Sequence, residues 1–212
     1  MSPTILFIIG RPGSGKTTAA DSISLLTNKE HFSVAKINDY DILSQMLQTD
    51  LAHTRFLLTE HGGFDVIDFS VLDEALQEIE QVVKVSKQSY NFVTIEFARD
   101  NYRKAIGLFS DDFLKDSYFL YLDASVEICL VRIHQRVANP SATGDHPSLS
   151  DDKFKEYYGK DDKLYITTNF KSAYNLSDQQ VVVIQNEGTK EEFLREIERY
   201  FKDILLKAIE NN

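Results

Sequence analysis

The sequence predicts an α/β fold: a three-layer sandwich in which a five-stranded parallel sheet carries helices on both faces. Three observations predict it. Five short apolar runs, Thr4–Ile9, Ser33–Ile37, Phe92–Phe97, Tyr118–Leu122 and Gln180–Gln185, have the near-continuous hydrophobicity of strands covered on both sides. The segments between them place apolar residues at helical spacing. Strands that alternate with helices close into right-handed βαβ units around a parallel sheet.

Each element follows in order. The first strand, Thr4–Ile9, leads through a glycine-rich turn into a helix marked by Ala19, Ala20, Ile23 and Leu26. The second strand precedes a short helix over Ile42 to Leu47, for which Asn38 or Asp39 would serve as the N-cap. Leu72, Leu76, Ile79 and Val83 form the apolar stripe of the next helix, and the third strand, Phe92–Phe97, follows it. After the fourth strand, Val126, Leu130, Ile133 and Val137 step along another helix, with Asp123 as its expected cap. The stretch from Asn139 to Asp152, rich in Pro, Ser, Gly and Asp, reads as a mobile loop. The last strand gives way to a helix carrying Phe193, Ile197, Phe201 and Ile204, which Thr189 and Glu192 open as a capping box. At 212 residues without a strong linker, the chain is expected to form one domain over 1–212.

Composition removes several function classes. With 23 basic and 33 acidic residues the net charge is −10, which disfavours broad nucleic-acid binding while leaving room for a local basic pocket. A single cysteine, Cys129, excludes an internal disulfide framework and a multi-thiolate zinc site. The five histidines show no metal-ligand spacing. The apolar run Ile5–Ile9 is too short for a signal segment or a membrane span, so no membrane association and a cytoplasmic location are expected. The sequence sets no oligomeric state.

The strongest motif is Gly10-Arg11-Pro12-Gly13-Ser14-Gly15-Lys16-Thr17, which matches G-x-x-x-x-G-K-[ST]. It lies where the motif requires, between an apolar strand and a helix. Glycines let the backbone curl until its N–H groups converge on phosphate oxygens, and the helix N-terminus adds a favourable dipole. Gly10, Arg11, Gly13, Ser14, Gly15, Lys16, Thr17 and Thr18 are the expected nucleotide contacts. Lys16 would reach the β- and γ-phosphates, and the Thr17 hydroxyl would bind Mg²⁺. No Asn/Thr-Lys-x-Asp guanine motif is present, which points away from GTPases.

The chain resembles small P-loop kinases of the nucleoside monophosphate kinase type, a broad group that includes adenylate kinase, deoxynucleoside kinases, dephospho-coenzyme A kinase and zeta-toxin sugar kinases. The resemblance implies a P-loop NTPase sandwich, ATP and Mg²⁺ as cofactors, and a lid over about 132–163. It implies roles for particular residues. Asp39, with Asp41 second, stands after the second strand, where such kinases contact the acceptor or metal waters. Glu96 and Arg99 end the third strand, like a Glu-Arg pair in deoxynucleoside kinases where Glu acts as base and Arg steadies phosphates, although here two residues separate them. Asp123 competes with Glu96 as the metal-side acid. In the resembled group the third strand lies beside the P-loop strand, which favours Glu96. Arg132 and Arg136 sit at i and i+4, where arginines of such kinases clamp phosphates or stack on adenine. Asn186 and Gly188 follow the last strand, where the chain passes the base.

The expected function is ATP- and Mg²⁺-dependent phosphoryl transfer to a small-molecule acceptor, a nucleoside or nucleotide among the candidates. Lys16, Asp39, Glu96, Arg132 and Arg136 would be the catalytic residues. The acceptor pocket is expected between Asp39 and His61 and near Arg99–Arg103. The alternative is an ATP-binding regulator that transfers nothing. Both share the loop.

Overall fold

The structure, a computed structural model, describes residues 3–59, 63–86, 89–139, 151–160 and 162–211. Five parallel strands, β1 (Thr4–Ile9), β2 (Val34–Asn38), β5 (Phe92–Phe97), β6 (Tyr118–Asp123) and β7 (Val181–Gln185), form one sheet in the order β2-β5-β1-β6-β7. This is the expected five-stranded sheet, and the bounds of β1 and β5 coincide with the apolar runs. β1 lies between β5 and β6, so adjacency to β1 does not separate Glu96 from Asp123 as the sequence reading supposed.

Alternation along the strands builds the three layers. Ile5, Phe7 and Ile9 face one side with Val93, Ile95, Phe97, Phe119 and Tyr121. There they meet α3 (Ser70–Ser86) through Leu76, Ile79 and Val83, and the short α4 (Tyr102–Ile106) and α5 (Asp111–Leu114). Leu6 and Ile8 face the other side with Leu120, Leu122 and Ile184. There α1 (Lys16–Lys29) contributes Ala19, Ala20 and Ile23, and a C-terminal helix contributes Phe193, Ile197 and Phe201. That helix, α10 (Lys190–Tyr200), opens with the expected capping box and passes through a π-turn, Phe201–Leu205, into α11 (Leu206–Glu210). Buried apolar area on both faces is the main term favouring the sandwich, at about 25 cal/mol per Å².

One element was not expected. β3 (Phe56–Leu58) and β4 (Phe64–Val66) pair antiparallel, Phe56 opposite Val66. With α2 (Asp39–Thr49) and the start of α3 they enclose a separate small core of Leu43, Phe56, Phe64, Val71 and Ala75. Asp50 anchors its entrance by accepting the N–H groups of Thr54, Arg55 and Phe56. This platform stands beside the edge strand β2 and becomes one wall of the site.

The remaining elements are α6 (Val126–Ala138), α7 (Asp151–Tyr158), α8 (Lys163–Thr168) and α9 (Phe170–Ala173). Most of the expected lid loop lies outside the described residues, as do His61 and His146; beyond α6, the described part of the 132–163 segment is 139, α7, 159–160 and 162–163. Asp123 is not the cap of α6. Ser125 occupies the N-cap, its N–H donates to Glu187, and Asp123 instead accepts from Lys163. No described helix is long and apolar enough to cross a membrane.

Candidate active site

The turn from β1 into α1 has the conformation that its glycines permit. Gly13 and Gly15 hold φ of 81° and 102°, in the left-handed region that favours glycine. A Cβ on Gly13 would lie 2.6 Å from the Cys129 carbonyl oxygen, and one on Gly15 would lie 2.5 Å from Asn186 Nδ2. The backbone contact requires glycine at Gly13, and the left-handed φ favours it at Gly15. Lys16 opens α1 and folds back over the loop, its Nζ donating to the carbonyls of Gly10 and Arg11 at 3.0 Å each. Desolvation pushes the Lys16 ammonium below its ordinary pKa, and the nearby carboxylates Glu96 and Asp39 oppose that shift.

Three more residues form the floor. Glu96, on β5, is paired in register with Ile8 of β1 and Asn38 of β2 and is buried. One of its oxygens accepts from the Thr17 hydroxyl at 3.1 Å. Burial pushes its carboxyl up to about 7, against the pull of Lys16 and the Thr17 bond. Asp39 is the first residue of α2, with Asn38 at the N-cap accepting from the Tyr40 N–H. Its partner is Arg99, and both are buried. Arg99 also donates to the carbonyls of Ala98 and Leu72. The sequence reading offered Arg99 as a phosphate ligand or as the partner of Glu96; the structure pairs it with Asp39.

α6 supplies the arginines. Arg132 approaches the Gly13 carbonyl at 3.4 Å and Asn186 Oδ1 at 3.3 Å. The Asn186 amide donates to the Ser14 carbonyl at 2.8 Å. Asn186 therefore ties the phosphate loop to α6 with its side chain. Arg11 also departs from expectation. Its guanidinium donates to the carbonyls of Tyr158 and Ala124, so it braces α7 and the exit of β6 and does not face the loop's concave side. The Gly10 N–H is engaged by Tyr102 Oη at 2.8 Å. Ser14 is buried, and its hydroxyl has no protein partner.

These parts surround one cavity of about 900 Å³. Gly13, Gly15, Lys16, Thr17, Thr18, Asp39, Glu96, Arg132, Arg136, Asn186 and Gly188 all line it; Gly10, Arg11 and Ser14 do not. Its far wall is the unexpected platform, with Tyr40, Leu43, Phe64 and Val66, and Tyr40 and Phe64 stack at 5.1 Å. Phe69 and Tyr157 also line the cavity, their rings stacked 5.6 Å apart. Four lysines (Lys16, Lys153, Lys160 and Lys190) and three arginines (Arg99, Arg132 and Arg136) face four carboxylates, so the cavity is basic on an acidic chain. Such a pocket attracts anions.

Two solved structures share this architecture. One, described as APE1195, superposes with a TM-score of 0.57 at 15% identity, over 98% of this chain and 97% of that one. The other is the Mycobacterium tuberculosis APS kinase CysC in complex with AMPPNP and APS, with a TM-score of 0.57 at 12% identity, over 95% and 99%. The chain has the fold of these two structures, a three-layer α/β sandwich around a five-stranded parallel sheet. No protein-family model matches the sequence, and no curated protein is significantly similar to it. Within this fold, the Thr17 hydroxyl and the Glu96 carboxylate are hard oxygen donors of the kind Mg²⁺ prefers. Among the described residues no group of three or more His, Cys, Asp and Glu side chains could hold a metal, so a cation at Thr17 would depend on nucleotide oxygens and water for its remaining ligands.

Proposed function

We propose that the protein transfers the γ-phosphoryl group of ATP to a hydroxyl of a small-molecule acceptor. The observation that carries this reading is the meeting of Lys16, Thr17 and a buried Glu96 at one end of a basic cavity whose other end is a separate aromatic wall. A site that only bound nucleotide would not need the second compartment.

The residues divide the work. Lys16 and the loop amides hold the phosphates. Thr17 would hold Mg²⁺, which supplies positive charge to the phosphate oxygens when bound. Glu96, with a carboxyl near 7, can take the acceptor's proton near neutral pH. Asp39, fixed by Arg99, orients the acceptor hydroxyl. Arg132 and Arg136 neutralise charge as the phosphoryl group moves. The tool is positioning plus electrostatics.

A nucleoside or nucleotide suits the aromatic wall, since flat rings stack against Tyr and Phe. The test is ADP formation from Mg-ATP with pooled small metabolites, then with split pools, using Lys16→Ala as the control. Acceptor-dependent ADP that vanishes in the variant supports transfer. Tight Mg-ATP binding with no acceptor-dependent turnover overturns it in favour of an ATP-binding regulator.

A further inference from the structure

Tyr102, at the start of α4, stands outside the cavity and yet holds the phosphate loop. Its hydroxyl oxygen accepts the N–H of Gly10, ninety-two residues earlier, at 2.8 Å. Arg99, just past β5, lies close enough to act on the same hydroxyl through its charge. The ring is buried, edge-on to Tyr121 at 5.9 Å and beside Phe97 at 5.9 Å. The Tyr102 N–H is taken by the Asp162 carboxylate, so backbone and hydroxyl are both fixed. Burial raises the phenol above its ordinary pKa and keeps it neutral.

We infer that Tyr102 is a positioning residue for the nucleotide: its hydroxyl fastens the first residue of the phosphate loop to the start of α4. The inference rests on the reading of that loop as a phosphate site. Gly10 has little freedom otherwise. A Cβ there would meet the Leu122 carbonyl at 2.6 Å, so the residue is wedged against β6 on one side and hydrogen-bonded to Tyr102 on the other. The Gly10 carbonyl is also one of the two acceptors of Lys16 Nζ. Any shift of Gly10 therefore reaches the lysine that grips the phosphates. Arg99, whose charge also acts on this hydroxyl, pairs with Asp39. One phenol oxygen thus ties the start of the phosphate loop to the segment that follows the Arg99–Asp39 pair. Without it, the buried Gly10 N–H has no acceptor and must turn to find one, at a cost typical of an unsatisfied buried donor.

The test is calorimetric titration of Tyr102→Phe with Mg-ADP, alongside thermal unfolding. Removing only the hydroxyl keeps the ring packing. Tyr200→Phe is the control, because that buried hydroxyl has no protein partner and belongs to the opposite core. We expect Tyr102→Phe to bind Mg-ADP about tenfold more weakly with its unfolding temperature within a few degrees of the parent, and Tyr200→Phe to bind as the parent does. Parental affinity in Tyr102→Phe, whatever its unfolding temperature, overturns the positioning role. A parent protein that does not bind Mg-ADP overturns the phosphate-loop reading, and this inference with it.

Discussion

The Thr17 hydroxyl donates to Glu96 at 3.1 Å, so the end of the phosphate loop and the end of β5 meet in one hydrogen bond. Glu96 is buried without a cation in contact; Lys16 acts on it only through space. Arg99, three residues on, is committed to Asp39. A carboxylate left in this way is costly for the fold and useful for chemistry, and the two consequences are separable by mutation.

The stability consequence follows from linkage. The Glu96 carboxyl sits at about 7 when folded, against 4.5 ordinarily. Because the folded value is raised, the folded chain holds the proton more tightly between those two pH values. Stability is fully present below about 4.5 and is lost as pH rises through about 7. We expect Glu96→Gln to be more stable than the parent at pH 8, by up to roughly 3 kcal/mol, and to lose that advantage by pH 4.5. Melting curves across this range check it. A Gln variant less stable than the parent at pH 8 would show that Glu96 has a compensating partner.

Lys16→Ala tests the nucleotide end. Lys16 donates to two loop carbonyls, and its ammonium is disfavoured by desolvation. Losing the bonds and losing the desolvation penalty oppose one another. We therefore expect an unfolding temperature within a few degrees of the parent and Mg-ADP affinity lower by about a hundredfold, as charge-assisted contacts to phosphate disappear. Calorimetric titration reads the affinity. A variant that binds like the parent would remove Lys16 from the site.

Asp39 and Arg99 should behave as a unit. Removing one partner of a buried ion pair leaves the other charge uncompensated, which costs about 3–5 kcal/mol. Asp39→Asn and Arg99→Met should each approach that loss in urea unfolding. The double variant should recover part of the stability, because two neutral groups avoid the stranded charge, and should still lack turnover. Full additivity of the two losses would show that the pair is not coupled.

Much of this fold is legible because its information is local. β1 and β5 are mostly apolar and buried at every position, as strands covered on both faces are. The capping box at Thr189 and Glu192 spans three residues and survives intact. The platform was not legible. β3 and β4 have three residues each, Leu57 and Leu58 are exposed, and so neither strand carries a periodic signal. Long-range partners were equally hidden. Asp123 looks like a cap until Lys163, forty residues on, claims it. Arg99 looks like a partner for Glu96 until Asp39, sixty residues earlier, appears beside it. Arg11 sits inside the most specific motif in the chain and still points away, towards Tyr158. The motif specifies a backbone path, and the side chain of a variable position follows its tertiary neighbours.

Asn186 offers the last discrimination, between two bonds made by one side chain. Its amide donates to the Ser14 carbonyl at 2.8 Å, and its oxygen receives Arg132 at 3.3 Å. Asn186→Ala removes both. Asn186→Asp keeps an acceptor for Arg132, strengthened by charge, and sets an oxygen against the Ser14 carbonyl. The shorter bond holds the loop itself, so we expect both variants to weaken Mg-ADP binding by about tenfold and Asp to be no better than Ala. If Asn186→Asp bound like the parent, the contact with Arg132 would be the one that matters, and the loop would owe its shape to its glycines and to Lys16.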